Sequence, residues 1–88
     1  MSLIKKFNGK KNIVAEQIKK YREEQNMSYE ILSAKLELMG ISIHRQSLYD
    51  IEANKRTVKD YELFGIAKVL GIDVNDLLVD IKEDLKDY

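Results

Sequence analysis

Apolar residues recur along this chain at three- and four-residue intervals, the period of amphipathic helices, in five successive segments. In the first segment, Val14, Ile18 and Tyr21 share one stripe. Asn12 stands ahead of this stripe as a predicted N-terminal cap, and Asn26 follows it as a breaker. The pattern therefore predicts a first helix that begins after Asn12 and ends before Asn26.

Two further helices are predicted between residues 28 and 54. The second helix begins at the cap Ser28 and ends at Gly40, a residue type common at helix C-termini. In the third helix, Leu48 and Ile51 lie on one side, and Asn54 follows as a left-handed stop residue. The apolar residues of the second helix are Ile31, Leu32, Leu36 and Met39.

The last two helices lie between residues 57 and 78. The fourth helix is predicted to begin near Thr57 or Lys59 and to end at Gly71, and a short fifth helix follows a cap at Asp73 or Asn75. Their apolar residues are Tyr61, Leu63, Phe64, Ile66, Ala67 and Leu70, then Val74, Leu77 and Leu78. We therefore expect an all-α fold, a compact five-helix domain.

The C-terminal stretch continues the apolar pattern beyond the fifth helix. Val74, Leu78, Ile81, Leu85 and Tyr88 follow spacings of 4, 3, 4 and 3, which is a short heptad seam. This seam, with Leu78, Ile81 and Leu85 at its centre, indicates a C-terminal helical extension. Two interpretations stay open: the seam is a dimer contact, or it packs back on its own domain and frays.

Composition limits both the size and the chemistry of the protein. Eighty-eight residues suit one domain, which we assign to residues 12–79, with a basic arm at 1–11 and an acidic extension at 80–88. The chain has no cysteine, one histidine and no glycine-rich phosphate loop, so we expect no enzyme, no metal site and no cofactor. No apolar run approaches the roughly 20 residues of a membrane span, and no separate domain for a small-molecule effector is visible. We expect a cytoplasmic protein.

Charge is unevenly distributed although the formal net charge is zero. Residues 1–59 carry twelve basic and seven acidic side chains, whereas residues 60–88 carry three basic and eight acidic ones. Lys5, Lys6, Lys10 and Lys11 form the basic arm. The first two-thirds of the chain are therefore suited to an anionic partner, while the arm itself either follows a nucleic-acid groove or stays a solvated tail.

Several short motifs carry a resemblance to a known family. The run from residue 18 to 78 contains IKKYREE at 18–24, MS at 27–28, SLYDIE at 47–52, NKR at 54–56, IAKVLGI at 66–72 and DLL at 76–78. In these motifs the sequence resembles the lambda-repressor-like, Cro-type (XRE) helix-turn-helix family. The resemblance implies sequence-specific binding of double-stranded DNA by a transcriptional regulator, most simply a repressor that binds as a homodimer.

The resemblance also implies roles for individual residues. The helix around residues 44–53 would enter the major groove, with Arg45, Gln46, Ser47 and Tyr49 reading bases. Arg45 suits a guanine edge or a phosphate, and Gln46 suits an adenine edge. Tyr49 suits a thymine methyl or a phosphate, or else is a partly packed surface tyrosine. The predicted phosphate contacts are Tyr29, His44, Lys55 and Arg56.

The family pattern further implies an ion pair between Arg22, late in the first helix, and Glu52, which closes the third. Two departures from that pattern bear on the site. About five extra residues around 37–41 lengthen helix two or widen the turn that follows it, and Tyr29 stands where the family commonly has glutamine.

A second function fits the same fold. Zero net charge, Tyr29 and the carboxylate of Asp50 on the proposed DNA-facing helix favour a protein-interaction module, such as an antitoxin-like or regulator-binding partner, with weak or no DNA binding.

Overall fold

The computed structural model describes residues 11–78, which form four α-helices and one 3-10 helix. The helices are α1 (Ala15–Glu24), α2 (Tyr29–Leu38), α3 (Arg45–Glu52) and α4 (Asp60–Leu70), followed by the 3-10 helix η1 (Val74–Leu78). No strand occurs in this part of the chain. The all-α class is confirmed, and η1 takes the place of the predicted fifth helix.

Most helix ends lie where the residue types predict them. Ser28 caps α2, because its Oγ accepts a hydrogen bond from the Ile31 amide at 3.1 Å. Gly71 ends α4 in the left-handed conformation with a φ of 73°, and Asn54 follows α3 with a φ of 60°. Asp73 rather than Asn75 opens η1, since its Oδ1 accepts from the Asn75 amide at 2.8 Å.

The predicted cap of the first helix is wrong. Val14, not Asn12, occupies the N-cap position of α1, and no side chain caps that end. Asn12 lies two residues further upstream, where its side chain is used in long-range hydrogen bonds described below.

The helices enclose one apolar core. Its fully buried side chains come from every element; they are Ile18, Leu32, Leu36, Leu48, Ile51, Ile66 and Leu77. The recognition-helix candidate α3 packs on α1 and α2, whereas α4 packs on α1, α2 and η1. Consequently α3 is held on one side of the bundle and α4 on another.

A six-residue connection, 39–44, joins α2 to α3, and it is longer than the usual turn of about three to four residues between two such helices. The connection is anchored at two points. Ile43 is 3% exposed in the core, and the Ser33 hydroxyl donates to the Ile43 carbonyl at 2.6 Å. Since both anchors precede α3 directly, they set the direction in which α3 begins.

Candidate nucleic-acid interface

One side of α3 is buried and the other faces solvent. Leu48 and Ile51 are 2% and 1% exposed, and they fix the helix on the core. Arg45, Gln46 and Tyr49 are exposed on the first turns, which is the position a major-groove reader requires. Ser47, the fourth predicted base-reading residue, is only partly exposed.

His44 caps the N-terminus of α3. Its Nδ1 accepts a hydrogen bond from the Gln46 amide at 3.1 Å, in the manner of a side-chain cap. An accepting Nδ1 carries no proton, so in the neutral imidazole the proton is on Nε2. The exposed ring therefore has a donor left for an anion at this end of α3.

The C-terminus of α3 is locked to α1 by a buried ion pair. Arg22 Nε lies 2.8 Å from Glu52 Oε2, and Arg22 Nη2 lies 3.1 Å from Glu52 Oε1. A third guanidinium nitrogen, Nη1, donates to the Met27 carbonyl at 2.8 Å. The Glu52 hydrogen bonds raise the pKa of Arg22 above its ordinary value, against the opposing effect of burial.

Tyr29 belongs to the same network. Its hydroxyl donates to Glu52 Oε1 at 2.9 Å, and its ring lies 4.2 Å from the Arg22 guanidinium. Burial, and then the bond to Glu52, raise the pKa of Tyr29. The ring also meets Tyr49 edge-on, with centroids 6.0 Å apart. The predicted donation from Tyr29 to a phosphate is therefore replaced in this structure by donation to Glu52.

The loop after α3 contains Lys55 and Arg56, which differ in their surroundings. Lys55 is exposed, and its ammonium lies 5.5 Å from the centroid of the Tyr49 ring. Arg56 instead pairs with the buried Glu62 of α4, through Nη1 to Oε1 at 3.0 Å and Nη2 to Oε2 at 2.9 Å. The charge that sequence reasoning assigned to a phosphate at position 56 is thus neutralised within the protein.

Glu62 receives three hydrogen bonds. Besides the two from Arg56, the Lys59 amide donates to its Oε1 at 2.9 Å. Burial raises the pKa of this carboxyl, but the hydrogen bonds from Arg56 and Lys59 outweigh burial, and the net shift is downward. Glu62 consequently joins the loop after α3 to the first turn of α4.

Asn12, like Glu62, has a role that the sequence did not reveal. Asn12 is 3% exposed, and its side-chain amide forms hydrogen bonds on both sides of the loop after α3. Its Nδ2 donates to the carbonyls of Ile51 and Arg56, and its Oδ1 accepts from the Val58 amide at 2.7 Å. Its backbone amide donates to Asn54 Oδ1 at 2.8 Å. The only sequence signal was an amide side chain ahead of α1, which does not reveal a partner forty residues away.

An acidic side chain lies beside each of the two long polar side chains at the start of α3. Arg45 Nη1 lies 3.2 Å from Glu30 Oε2, and Gln46 Nε2 donates to Asp50 Oδ1 at 3.2 Å. Arg45, Glu30 and Gln46, but not Asp50, line an open cleft between the starts of α2 and α3. Its other lining residues are Ser28, Tyr29 and Tyr49.

Parts of the predicted site fall beyond the described residues. Leu78 is partly buried at the end of η1, whereas Ile81 and Leu85 of the seam lie outside the described range. The same holds for Lys5, Lys6 and Lys10 of the basic arm, while Lys11 donates to the Lys55 carbonyl at 3.3 Å.

No group of three or more histidine, aspartate or glutamate side chains within residues 11–78 is arranged to hold a metal ion. None of the helices in that range is long and apolar enough to cross a membrane.

Comparison with known proteins gave one match, to a family model. Residues 18–77, more than half of the chain, match the model of a helix-turn-helix family. No curated protein and no solved structure matched the chain. The matched range contains α2, α3 and the connection between them, together with the Arg22–Glu52 pair. The chain belongs to the helix-turn-helix family of the lambda-repressor and Cro (XRE) type.

Proposed function

We propose that this protein is a sequence-specific transcriptional regulator that inserts α3 into the major groove of DNA and represses by occluding a promoter. The observation that carries the proposal is the exposure of Arg45, Gln46 and Tyr49 on a helix whose opposite side is buried, in a chain of this family. Each base pair presents a distinct set of donors and acceptors in the major groove, and these side chains supply matching groups.

The roles divide between base edges and the DNA backbone. Arg45 and Gln46 read a guanine and an adenine edge, and Tyr49 contacts a thymine methyl. Ser47, partly exposed, is a base-reading residue at the margin of this set. Lys55 and the Nε2–H of His44 bind phosphates. Arg56 and Tyr29 support the site from within, since both are engaged by glutamates.

The proposed assembly is a homodimer on an inverted repeat. Two recognition helices related by a two-fold axis lie about 34 Å apart, one turn of DNA, when half-sites are about 10 base pairs apart. The seam that begins at Leu78 and continues through Ile81 and Leu85 supplies the dimer contact in this proposal.

Selection of bound duplexes from a random DNA pool at about 0.15 M salt tests the function. We expect enrichment of an inverted repeat with half-sites about one helical turn apart. A folded, helical protein that enriches no sequence contradicts the proposal and favours the protein-interaction module instead.

Alanine variants test the assignment of the readers. Arg45→Ala and Gln46→Ala are expected to weaken binding to the selected duplex by about 1 to 3 kcal/mol, more than binding to random DNA. Lys68→Ala, on α4, is the control; it removes a cation from an element that does not pack on α3. Equal losses on both duplexes for Arg45→Ala or Gln46→Ala contradict base reading by that residue.

A further inference from the structure

Two carboxylates stand on the proposed DNA-facing surface, where a polyanion would repel them. Glu30, in the first turn of α2, has a side chain that is 72% exposed, and Asp50 lies one turn beyond Gln46 on α3. A carboxylate at a DNA interface adds to the charge that binding must overcome, unless it accepts a hydrogen bond from a cytosine amino group. In this structure Asp50 and Glu30 instead contact Gln46 and Arg45. The positions of the two carboxylates therefore need an explanation other than affinity.

Asp50 fixes the orientation of the Gln46 amide. An ionised carboxylate only accepts hydrogen bonds, so the amide nitrogen of Gln46 must be the atom facing Asp50. Donation through the N–H anti to Oε1 leaves the other N–H and Oε1 together on one edge of the amide. That edge matches adenine, which offers N7 as acceptor and N6–H as donor.

Glu30 acts on Arg45 in the same way. Its Oε2 engages Nη1 of the guanidinium at 3.2 Å, which leaves Nε and Nη2 as a parallel pair of donors. Such a pair fits the N7 and O6 acceptors of guanine. Without Glu30, the long side chain is equally able to turn to a phosphate, where it carries no sequence information.

We propose that Glu30 and Asp50 are specificity-determining residues: they position Arg45 and Gln46 for base edges, and they weaken binding to DNA that lacks those edges. The inference rests on the proposed function, and it makes the two carboxylates positioning residues that act through their partners. Such a protein binds DNA in general less tightly, but it discriminates more strongly between sequences.

Two substitutions at Asp50 separate positioning from charge. Asp50→Asn removes the charge but keeps an oxygen that accepts from Gln46, whereas Asp50→Ala removes both. The dissociation constant is measured for the selected duplex, for a random duplex and for duplexes with each base pair replaced in turn. Circular dichroism and a thermal melt establish that each variant is folded.

We expect both variants to bind the random duplex more tightly than the parent. Only Asp50→Ala is expected to lose preference at the base pair that Gln46 reads, by about fivefold or more. About fivefold is the lower end of the discrimination that a bidentate base contact provides. Glu30→Ala should do the same at the base pair read by Arg45. Glu37→Gln is the matched control, because it removes an exposed carboxylate from α2 and should leave every base preference unchanged.

Three outcomes overturn the inference. Unchanged base preferences in both Asp50→Ala and Glu30→Ala remove the positioning role while the proposed function stands. Equal loss of preference in Asp50→Asn and Asp50→Ala shows that charge alone matters. Failure of the parent protein to enrich any sequence removes the proposed function, and this inference with it.

Discussion

Asn12 connects the beginning of the chain to the loop that follows the recognition helix. Its one side chain satisfies the carbonyls of Ile51 and Arg56 and the amide of Val58. Backbone groups at such a loop have no helical partner, and an unsatisfied buried polar group costs about 1 to 3 kcal/mol. The loop around Lys55 is therefore ordered by a residue far from it in sequence.

Replacement of Asn12 tests this role. Asn12→Ala is expected to lower the free energy of unfolding by about 2 to 4 kcal/mol, because it strands several buried groups at once. Urea denaturation followed by circular dichroism measures the change. Asn75→Ala, at an exposed position of η1, is the control, with an expected change within about 0.5 kcal/mol. A loss no larger than that of the control contradicts the role.

The Arg22–Glu52 pair makes a separate prediction about buried charge. The side chains are 10% and 3% exposed. Removal of Arg22 leaves the Glu52 charge buried without a cation, and removal of Glu52 leaves Arg22 with only the exposed Glu23 carboxylate, 3.9 Å away. Glu52→Leu and Arg22→Met are each expected to cost about 3 to 5 kcal/mol in unfolding free energy. The double variant should cost less than the two losses added together, as a double-mutant cycle by urea denaturation will measure. Strict additivity would contradict the coupling.

At the scale of elements, Glu62 holds the start of α4 against the loop after α3. Its pKa is lowered in the folded protein, so the charged form stabilises the fold. This contribution is complete at pH values above the ordinary carboxyl pKa and is lost as the pH falls through the lowered folded value.

Acid unfolding of a variant isolates this contribution. We expect Glu62→Gln to be less stable than the parent at pH 7, and the difference to shrink as the pH falls below about 4.5. Urea denaturation at a series of pH values provides the measurement. A difference that stays constant across the acid range contradicts a stabilising charge on Glu62.

The positions of the helices could be predicted from the sequence, because the residues that determine them lie close together along the chain. Spacing of apolar residues, the cap Ser28 and the stops Asn54 and Gly71 act within one or two turns. Partners that meet across the fold carry no such signal: nothing near Arg56 indicates that it pairs with Glu62 rather than with an anion in solution. The Arg22–Glu52 pair was expected only from family resemblance.

On the scale of the whole molecule, several arginines that the sequence offers to DNA are paired with carboxylates within residues 11–78. Arg56 is paired with Glu62, Arg45 with Glu30 and Arg22 with Glu52. Each contact between a protein cation and a DNA phosphate releases bound counterions. The salt dependence of binding therefore increases with the number of such contacts. We therefore expect these three arginines to contribute little to the salt dependence of binding.

Substitution of the two loop cations tests this distribution. Lys55→Gln is expected to reduce the slope of log K against log salt by about 1, the effect of one phosphate contact. Arg56→Gln should lower the stability of the fold and change the slope by less. Fluorescence anisotropy at several salt concentrations gives both slopes. A larger slope change for Arg56→Gln would assign the phosphate contact to Arg56.

The division of α3 into a fixed inner side and an outward side has a consequence for redesign. Eight residues are too few to form a stable helix in isolation, and Glu52 needs Arg22 from α1. If α3 alone were grafted into another scaffold, Glu52 would therefore lack the Arg22 guanidinium that pairs with it here. Within this scaffold, in contrast, positions 45, 46 and 49 contribute little to the core. Combinatorial libraries at those three positions offer a way to new operators at little cost in folding.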